Sequence, residues 1–152
     1  MTMGVTFCSD RIESAFASEN RLHTFYHGHS YTGNALACAA ANASLKIFDE
    51  EPVFERIATI ARIHAERLEH VRSMRQVGET RQIGSIAAVE LRADDPGYLS
   101  GLRPKLYNFF LERGVLLRPL GNVVYVLPPY VIEPEDLHRV HDVIVEAIET
   151  LL

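Results

Sequence analysis

The chain has 152 residues, a net charge of −5 and 47% hydrophobic residues. This length suits one domain of about 100–200 residues, and the composition is that of a folded globular protein, which excludes intrinsic disorder. A mildly acidic chain is poorly suited to nucleic acid, and no run approaches the roughly 18 apolar residues of a membrane span, so neither partner is expected.

Residues 1–34 show no sustained hydrophobic period. The N-terminus carries an early charge and no long apolar run, so it is not interpreted as a secretory signal. A cytoplasmic location, with Cys8 and Cys38 as free thiols, is therefore expected. Ser9 and Asp10 are predicted to cap a short helix, because both side chains accept hydrogen bonds from free backbone amides.

Four stretches have the pattern of α-helices. An Ala-rich helix is predicted over 34–48, because Ala is the best helix former, and Pro52 suits the first turn of the next helix. That second helix has apolar positions at spacings of three and four: Val53, Ile57, Ile60, His64, Leu68 and Val71. A third helix is predicted over 102–110, ended by Gly114 in a left-handed cap, and a fourth opens at Glu133. The buried stripe expected for the fourth is Leu137, Val140, Ile144, Ala147, Ile148 and Leu151.

Extended chain is predicted between these helices. The best strand candidate is 84–91, within an extended stretch that begins at Val77. Two further strands, 115–118 and 123–127, are predicted to form a hairpin around a turn containing Pro and Gly. Residues 35–152 are therefore predicted to have an α/β fold of the α+β type, in which long helices cover one face of a small, mainly antiparallel sheet.

The first candidate site is the loop His27-Gly-His-Ser-Tyr-Thr-Gly-Asn34, which leads into the Ala-rich helix. Its glycines allow a ligand to approach the backbone, and hydroxyls with free amides at a helix start bind anions such as phosphate. A polar capping loop explains the same residues, and this alternative stays open. His27 and His29 have no evident third ligand, so no metal site is predicted.

The second candidate is Arg118, which follows three apolar residues and precedes a turn. This position suits bidentate binding of a carboxylate, and the alternative is a strand-end arginine that is exposed or ion-paired. Tyr125 lies in an apolar strand, where it is either a pocket residue or a core residue whose hydroxyl needs a partner. The two lysines, Lys46 and Lys105, are expected on solvated helix faces.

Taken in order, these motifs resemble the class III pyridoxal-phosphate aminotransferases. The resemblance is carried by the His27–Asn34 loop with its Ala-rich helix, by Gly114-Val-Leu-Leu-Arg-Pro-Leu-Gly-Asn122 and by Val124-Tyr-Val-Leu-Pro-Pro-Tyr130. It implies fold type I, pyridoxal 5'-phosphate as cofactor and a homodimer. It also implies that 1–34 is the tail of a large cofactor-binding domain and that 35–152 is the C-terminal small domain.

The resemblance implies a role for each candidate residue. Ser30 would bind the cofactor phosphate through its hydroxyl and amide, and would do so in the partner subunit's site. Gly28 and His29 would border the cofactor, and Gly28 also the substrate. Arg118 would hold the carboxylate of the oxo-acid substrate, and Tyr125 would line the same pocket. The block from Arg118 to Tyr130 resembles the family members that take part in biotin synthesis, which aminate 8-amino-7-oxononanoate to 7,8-diaminononanoate.

In this family a lysine holds the cofactor as a Schiff base, and that lysine has no counterpart in the 152 residues. No catalytic residue is therefore assigned, and the chain is expected to be a C-terminal part of the enzyme that is inactive alone. Two alternatives stay open. One is another class III transaminase that acts on a different oxo-acid or amine; the other is a non-catalytic folding or association module.

Overall fold

Residues 3–152 are described by the structure, which is a computed structural model. The chain separates into two units, the first ending at Glu51 and the second running from Pro52 to Leu152. The first unit holds α1 (Asp10–Glu13), a 3-10 turn (Arg21–His23) and α2 (Ala35–Glu50). The second holds α3 (Val53–Arg72), β1 (Val77–Ile83), β2 (Ile86–Leu91), α4 (Leu102–Glu112), β3 (Val123–Val126) and α5 (Pro134–Leu151).

The first unit is built around the Ala-rich helix that the sequence predicts. Asn34 is the N-cap residue of α2. Its side-chain oxygen accepts a hydrogen bond from the amide of Ala37 at 3.0 Å, which satisfies one free donor of the first turn. Ser9 occupies the N-cap position of α1 as predicted, but the predicted side-chain cap is wrong, because the Ser9 hydroxyl makes no capping bond. Its carbonyl instead accepts from the amides of Ile12 and Glu13.

The sheet of the second unit is antiparallel in the order β1-β2-β3. The predicted strand over 84–91 is only the second half of a hairpin, since Gly84 and Ser85 form a turn between β1 and β2. Gly84 has a φ of +51°, which an L side chain rarely adopts. Strand β1 is mostly exposed and polar, so its sequence has no clear apolar alternation.

The predicted strand over 115–118 is wrong. Residues 115–119 belong to no helix or strand, and the burial of Val115, Leu117 and Pro119 produces the alternation of a strand. They form no ladder with β3, and Pro119 has no amide to donate. Pairing is limited to Leu120 and Val123, which close a tight turn.

The helices cover one face of the sheet. Helix α3 packs on β1 and β2, and α5 packs against α3 and α4. The core-facing residues of β2 and β3 are Ala87, Val89, Leu91, Val124 and Val126. The predicted arrangement of long helices on one face of a small antiparallel sheet is therefore confirmed for residues 52–152. Within residues 3–152, no helix combines the length and the hydropathy needed to cross a membrane.

Candidate functional site

The loop before α2 presents hydrogen-bond donors to solvent. Ser30 is exposed, and neither its hydroxyl nor its amide has a hydrogen-bond partner among residues 3–152. Two neighbouring bonds fix the backbone around it: the amide of His29 donates to Thr32 Oγ1 at 3.1 Å, and the amide of Tyr31 donates to His29 Nδ1 at 3.2 Å. A Cβ added at Gly28 would meet nothing within 4 Å. The loop is therefore open to a ligand that accepts hydrogen bonds.

Arg118 and Tyr125 lie on either side of one turn. Each is two residues from the Leu120–Val123 pair, and each points away from the core: Arg118 is exposed and Tyr125 is half-buried. Arg118 makes no hydrogen bond or ion pair with any residue in 3–152, so its guanidinium keeps all its donors for another molecule. Tyr125 is opposite Ala88 of β2 on the open face of the sheet, not in the core.

The turn between these two residues is fixed to the rest of the unit. Asn122 is 4% exposed, and its side chain donates to the Leu91 carbonyl at 2.7 Å and accepts from the Gly97 amide at 2.9 Å. Gly121 has a φ of +63°, and a Cβ there would lie 1.7 Å from the Gly97 carbonyl oxygen. The turn is therefore pressed against the chain that leads into α4.

The candidate residues belong to two different units of the chain. Arg118 and Tyr125 share the second unit, whereas Gly28, His29 and Ser30 belong to the first. No group of three or more His, Cys, Asp or Glu side chains among residues 3–152 could hold a metal ion. The sequence places Asn122 in the predicted turn, where a polar residue after Gly is a typical signal, but it does not reveal that the Asn122 side chain fixes this turn.

The comparisons with known proteins give the class. The family model described as aminotransferase class-III matches residues 1–148, so the chain belongs to the class III aminotransferases. Its relatives include the adenosylmethionine-8-amino-7-oxononanoate aminotransferase of Synechococcus elongatus, which is 38% identical over 99% of this chain and 35% of that protein. The enzyme of the same name from Aquifex aeolicus is 36% identical over 99% of this chain. The chain thus spans about a third of the length of the curated relatives it matches.

Solved structures agree with this assignment. The crystal structure of adenosylmethionine-8-amino-7-oxononanoate aminotransferase from Methanocaldococcus jannaschii has a TM-score of 0.82 and 34% identity, over 93% of this chain and 34% of that one. The PMP-bound form of an aminotransferase from Vibrio fluvialis has a TM-score of 0.76 and 27% identity, over 91% of this chain and 31% of that one. The fold expected from the family resemblance is therefore confirmed.

Proposed function

We propose that this chain supplies the substrate-carboxylate site and the cofactor-phosphate site of a pyridoxal-phosphate-dependent aminotransferase. The proposed reaction converts 8-amino-7-oxononanoate to 7,8-diaminononanoate. The observation that carries the proposal is the exposed Arg118, which has no partner among residues 3–152 and lies across a fixed turn from Tyr125. The choice of substrate is supported by the relatives named for it, which match nearly the whole chain.

Pyridoxal phosphate, when bound, supplies the electron sink that makes transfer of an amino group possible. The proposed phosphate ligands are the Ser30 hydroxyl and amide, because phosphate oxygens accept hydrogen bonds from such donors at a helix start. Gly28 leaves room for the group, and His29 borders it with a ring held by the Tyr31 amide. The lysine that holds the cofactor aldehyde is proposed to lie in the part of the relatives' length that this chain does not span.

Arg118 has a separate task. Its planar guanidinium can donate two parallel hydrogen bonds to the substrate carboxylate, which fixes the position of the oxo group at the far end of the molecule. Tyr125 gives this pocket an aromatic wall with a polar tip. Because both groups bind the non-reacting end, they contribute to substrate affinity and orientation and move no proton.

The first prediction concerns Arg118 in the full-length protein that contains this chain. Arg118→Ala is expected to raise the KM for 8-amino-7-oxononanoate, with a loss of up to about 3 kcal/mol for a charge-assisted bond, and to change kcat less. Steady-state kinetics at a saturating amino donor measures this, with adenosylmethionine and lysine both tried as donors. The matched control is Arg62→Ala, because Arg62 is exposed on α3 and has no hydrogen bond or ion pair among residues 3–152.

An unchanged KM for Arg118→Ala would contradict the assignment of the carboxylate site. A panel of oxo-acids and amines decides between this substrate and the alternative of another class III transaminase. That alternative has a structural basis, since an omega transaminase from Pseudomonas jessenii matches with a TM-score of 0.73 and 27% identity. A preference for an amine without a carboxylate would favour it.

The proposed protein is a cytoplasmic homodimer in which Ser30 acts in the partner's site. Its support is the family resemblance, together with apolar side chains that the first unit leaves exposed, such as Leu22, Tyr26 and Tyr31. The second prediction follows from this arrangement. Full-length Ser30→Ala and Arg118→Ala proteins, each weakened alone, should regain activity when their subunits are mixed and allowed to exchange.

The physical reason is the composition of the mixed dimer. One of its two sites combines the intact Arg118 of the Ser30→Ala subunit with the intact Ser30 of the Arg118→Ala subunit. The other site carries both substitutions. Activity of the mixture above that of both parents is the expected result. If Ser30 and Arg118 of the same subunit served one site, every site would carry a substitution and mixing would restore nothing.

A further inference from the structure

The backbone of the segment that carries Arg118 makes very few hydrogen bonds. Residues 116–119 belong to no strand, and their amides make no hydrogen bond to any residue in 3–152. Among their carbonyls, only that of Pro119 has a partner in the described chain: it accepts a hydrogen bond from Arg103 Nε at 3.2 Å. Leu117 and Pro119 add packing, since both are buried.

Arg103 is well placed to fix this peptide. It lies in the first turn of α4, two residues after Gly101, whose amide donates to Asp95 Oδ2 at 2.8 Å. The helix start is therefore itself anchored. Arg103 is exposed, so its hydrogen bond to Pro119 contributes little to the core and fixes the chain directly after Arg118.

Asn122 fixes the turn that follows this segment. Besides its two side-chain bonds, its carbonyl accepts from the Leu91 amide at 2.9 Å, so the turn is tied to the end of β2 from both main chain and side chain. The Gly97 carbonyl lies so close to Gly121 that the turn has no space to move toward it. Both anchors thus hold the chain that directly follows Arg118, and their partners come from different parts of the sequence.

We propose that Arg103 and Asn122 are positioning residues for Arg118, holding its peptide so that the guanidinium meets the substrate carboxylate in a bidentate geometry. This inference rests on the proposed function, because it needs Arg118 to bind a carboxylate. The physical reason is that two parallel hydrogen bonds require a fixed orientation of the guanidinium plane. If the backbone at Pro119 could rotate freely, the guanidinium would adopt a wider range of orientations.

The test uses Arg103→Gln and Arg103→Lys in the full-length protein. Neither side chain reproduces the Nε–H of arginine, but lysine keeps the charge. Both variants should raise the KM for 8-amino-7-oxononanoate about five-fold, as expected for one lost hydrogen bond, with kcat and the melting temperature nearly unchanged. Lys105→Gln is the control, because it removes one positive charge from the same helix and should leave the KM unchanged.

A second readout separates positioning from other roles. Each Arg103 substitution is repeated in the Arg118→Ala background, where a residue that acts only through Arg118 should raise the KM no further. A further rise in that background would overturn the proposal, because Arg103 would then bind substrate itself or support the fold generally. A normal KM for Arg103→Lys together with a raised KM for Arg103→Gln would also overturn the proposal, because the positive charge alone would then be sufficient and the Nε–H bond would not be needed.

Asn122→Asp tests the other anchor. Aspartate keeps the acceptor for the Gly97 amide and loses the donor to the Leu91 carbonyl, so both a lower melting temperature and a raised KM are expected. If Asn122→Asp fails to fold, the Arg103→Gln and Arg103→Lys variants still test the proposal. Unchanged KM values for the Arg103 variants, with a raised KM for Arg118→Ala, would overturn the inference alone; no effect of Arg118→Ala would overturn the proposed function itself.

Discussion

His64 and His141 form a buried pair between α3 and α5. Their rings share a hydrogen bond of 2.9 Å between His64 Nδ1 and His141 Nε2, and His64 Nε2 lies 3.1 Å from the Ser85 carbonyl. Since a carbonyl only accepts, Nε2 of His64 carries the proton and donates, and Nδ1 of His64 accepts from His141. Nδ1 of His141 is then a bare acceptor with no partner among the described residues. The pair is therefore arranged for two neutral rings.

Burial and the surrounding groups also favour the neutral form of both rings. Burial lowers the pKa of His141 to about 3, and electrostatic interactions with His64, Arg67 and His138 act in the same direction, with Asp142 opposing. Burial also lowers the pKa of His64, against the bond to the Ser85 carbonyl. Both rings are thus neutral in the folded protein at pH values where unfolded histidine takes up a proton.

The third prediction is a loss of stability in acid. The unfolded chain binds protons near the ordinary histidine pKa of 6.5 and the folded chain does not, so stability is full above that value and falls as the pH drops from 6.5 toward 3. Urea midpoints of the 152-residue chain between pH 7.5 and 4.5 measure it. His141→Leu should flatten the dependence, whereas His70→Gln, at an exposed position of α3, should keep it. Equal slopes for all three proteins would contradict the assignment.

The turn between Arg118 and Tyr125 shows how one element depends on contacts with another. Gly121 and Gly84 both have positive φ, at +63° and +51°, so a side chain at either position strains the backbone. Only Gly121 also faces a backbone atom, since its added Cβ would lie 1.7 Å from the Gly97 carbonyl oxygen, while nothing lies within 4 Å of a Cβ at Gly84. A substitution at Gly84 therefore introduces only conformational strain, whereas one at Gly121 introduces conformational strain and steric overlap.

The fourth prediction compares Gly121→Ala with Gly84→Ala. Gly84→Ala should cost about 1–2 kcal/mol, the usual penalty for a left-handed L residue. Gly121→Ala should cost clearly more, because the turn must also move away from the Gly97 peptide. Denaturant midpoints of both variants provide the comparison. Equal losses would show that the contact between the turn and the chain before α4 does not constrain the fold.

At the scale of the whole molecule, the two units differ in how much they bury. The contiguous core lies entirely in residues 52–152, whereas Ala37 is the one fully buried residue of the described part of the first unit. Leu22 there is 89% exposed and Phe7 is 91% exposed. Hydrophobic burial is the main favourable contribution to folding, so the second unit holds nearly all the stability that the chain can have by itself.

The fifth prediction is a division of hydrogen exchange along the chain. Amides of the sheet and of α3, α4 and α5 should exchange slowly, through global unfolding, while those of α2 should exchange much faster. An isolated helix of this length is marginal in water even when it is rich in Ala. Mass spectrometry of the intact 152-residue chain can resolve the two classes. Protection of α2 equal to that of α5 would show that the first unit is stabilised as strongly as the second.

The sequence predicts local features of this fold well. Spacing of apolar residues locates α3, α4 and α5, Ala content locates α2, and Gly114 ends α4 with a φ of +71° as expected. It fails at 115–118, where alternating burial imitates a strand, and it does not show that the extended stretch predicted from Val77 is divided at Gly84 and Ser85 into the paired strands β1 and β2. Both errors have one cause, because strand pairing is a relation between segments and leaves a weak trace within either one.

The candidate residues follow the same division. Arg118, Tyr125 and the Gly28–Ser30 loop could be named from motifs in the sequence, because their chemistry is local to short segments and matches a family pattern. Their assigned roles remain predictions. Only the tertiary structure decided which residues support Arg118, since Arg103 contacts a carbonyl 16 residues away and Asn122 one that is 31 residues away. It also decided that His64 meets His141 across 77 residues. Such partners are set by packing of helices and strands, and no local pattern in the sequence records them.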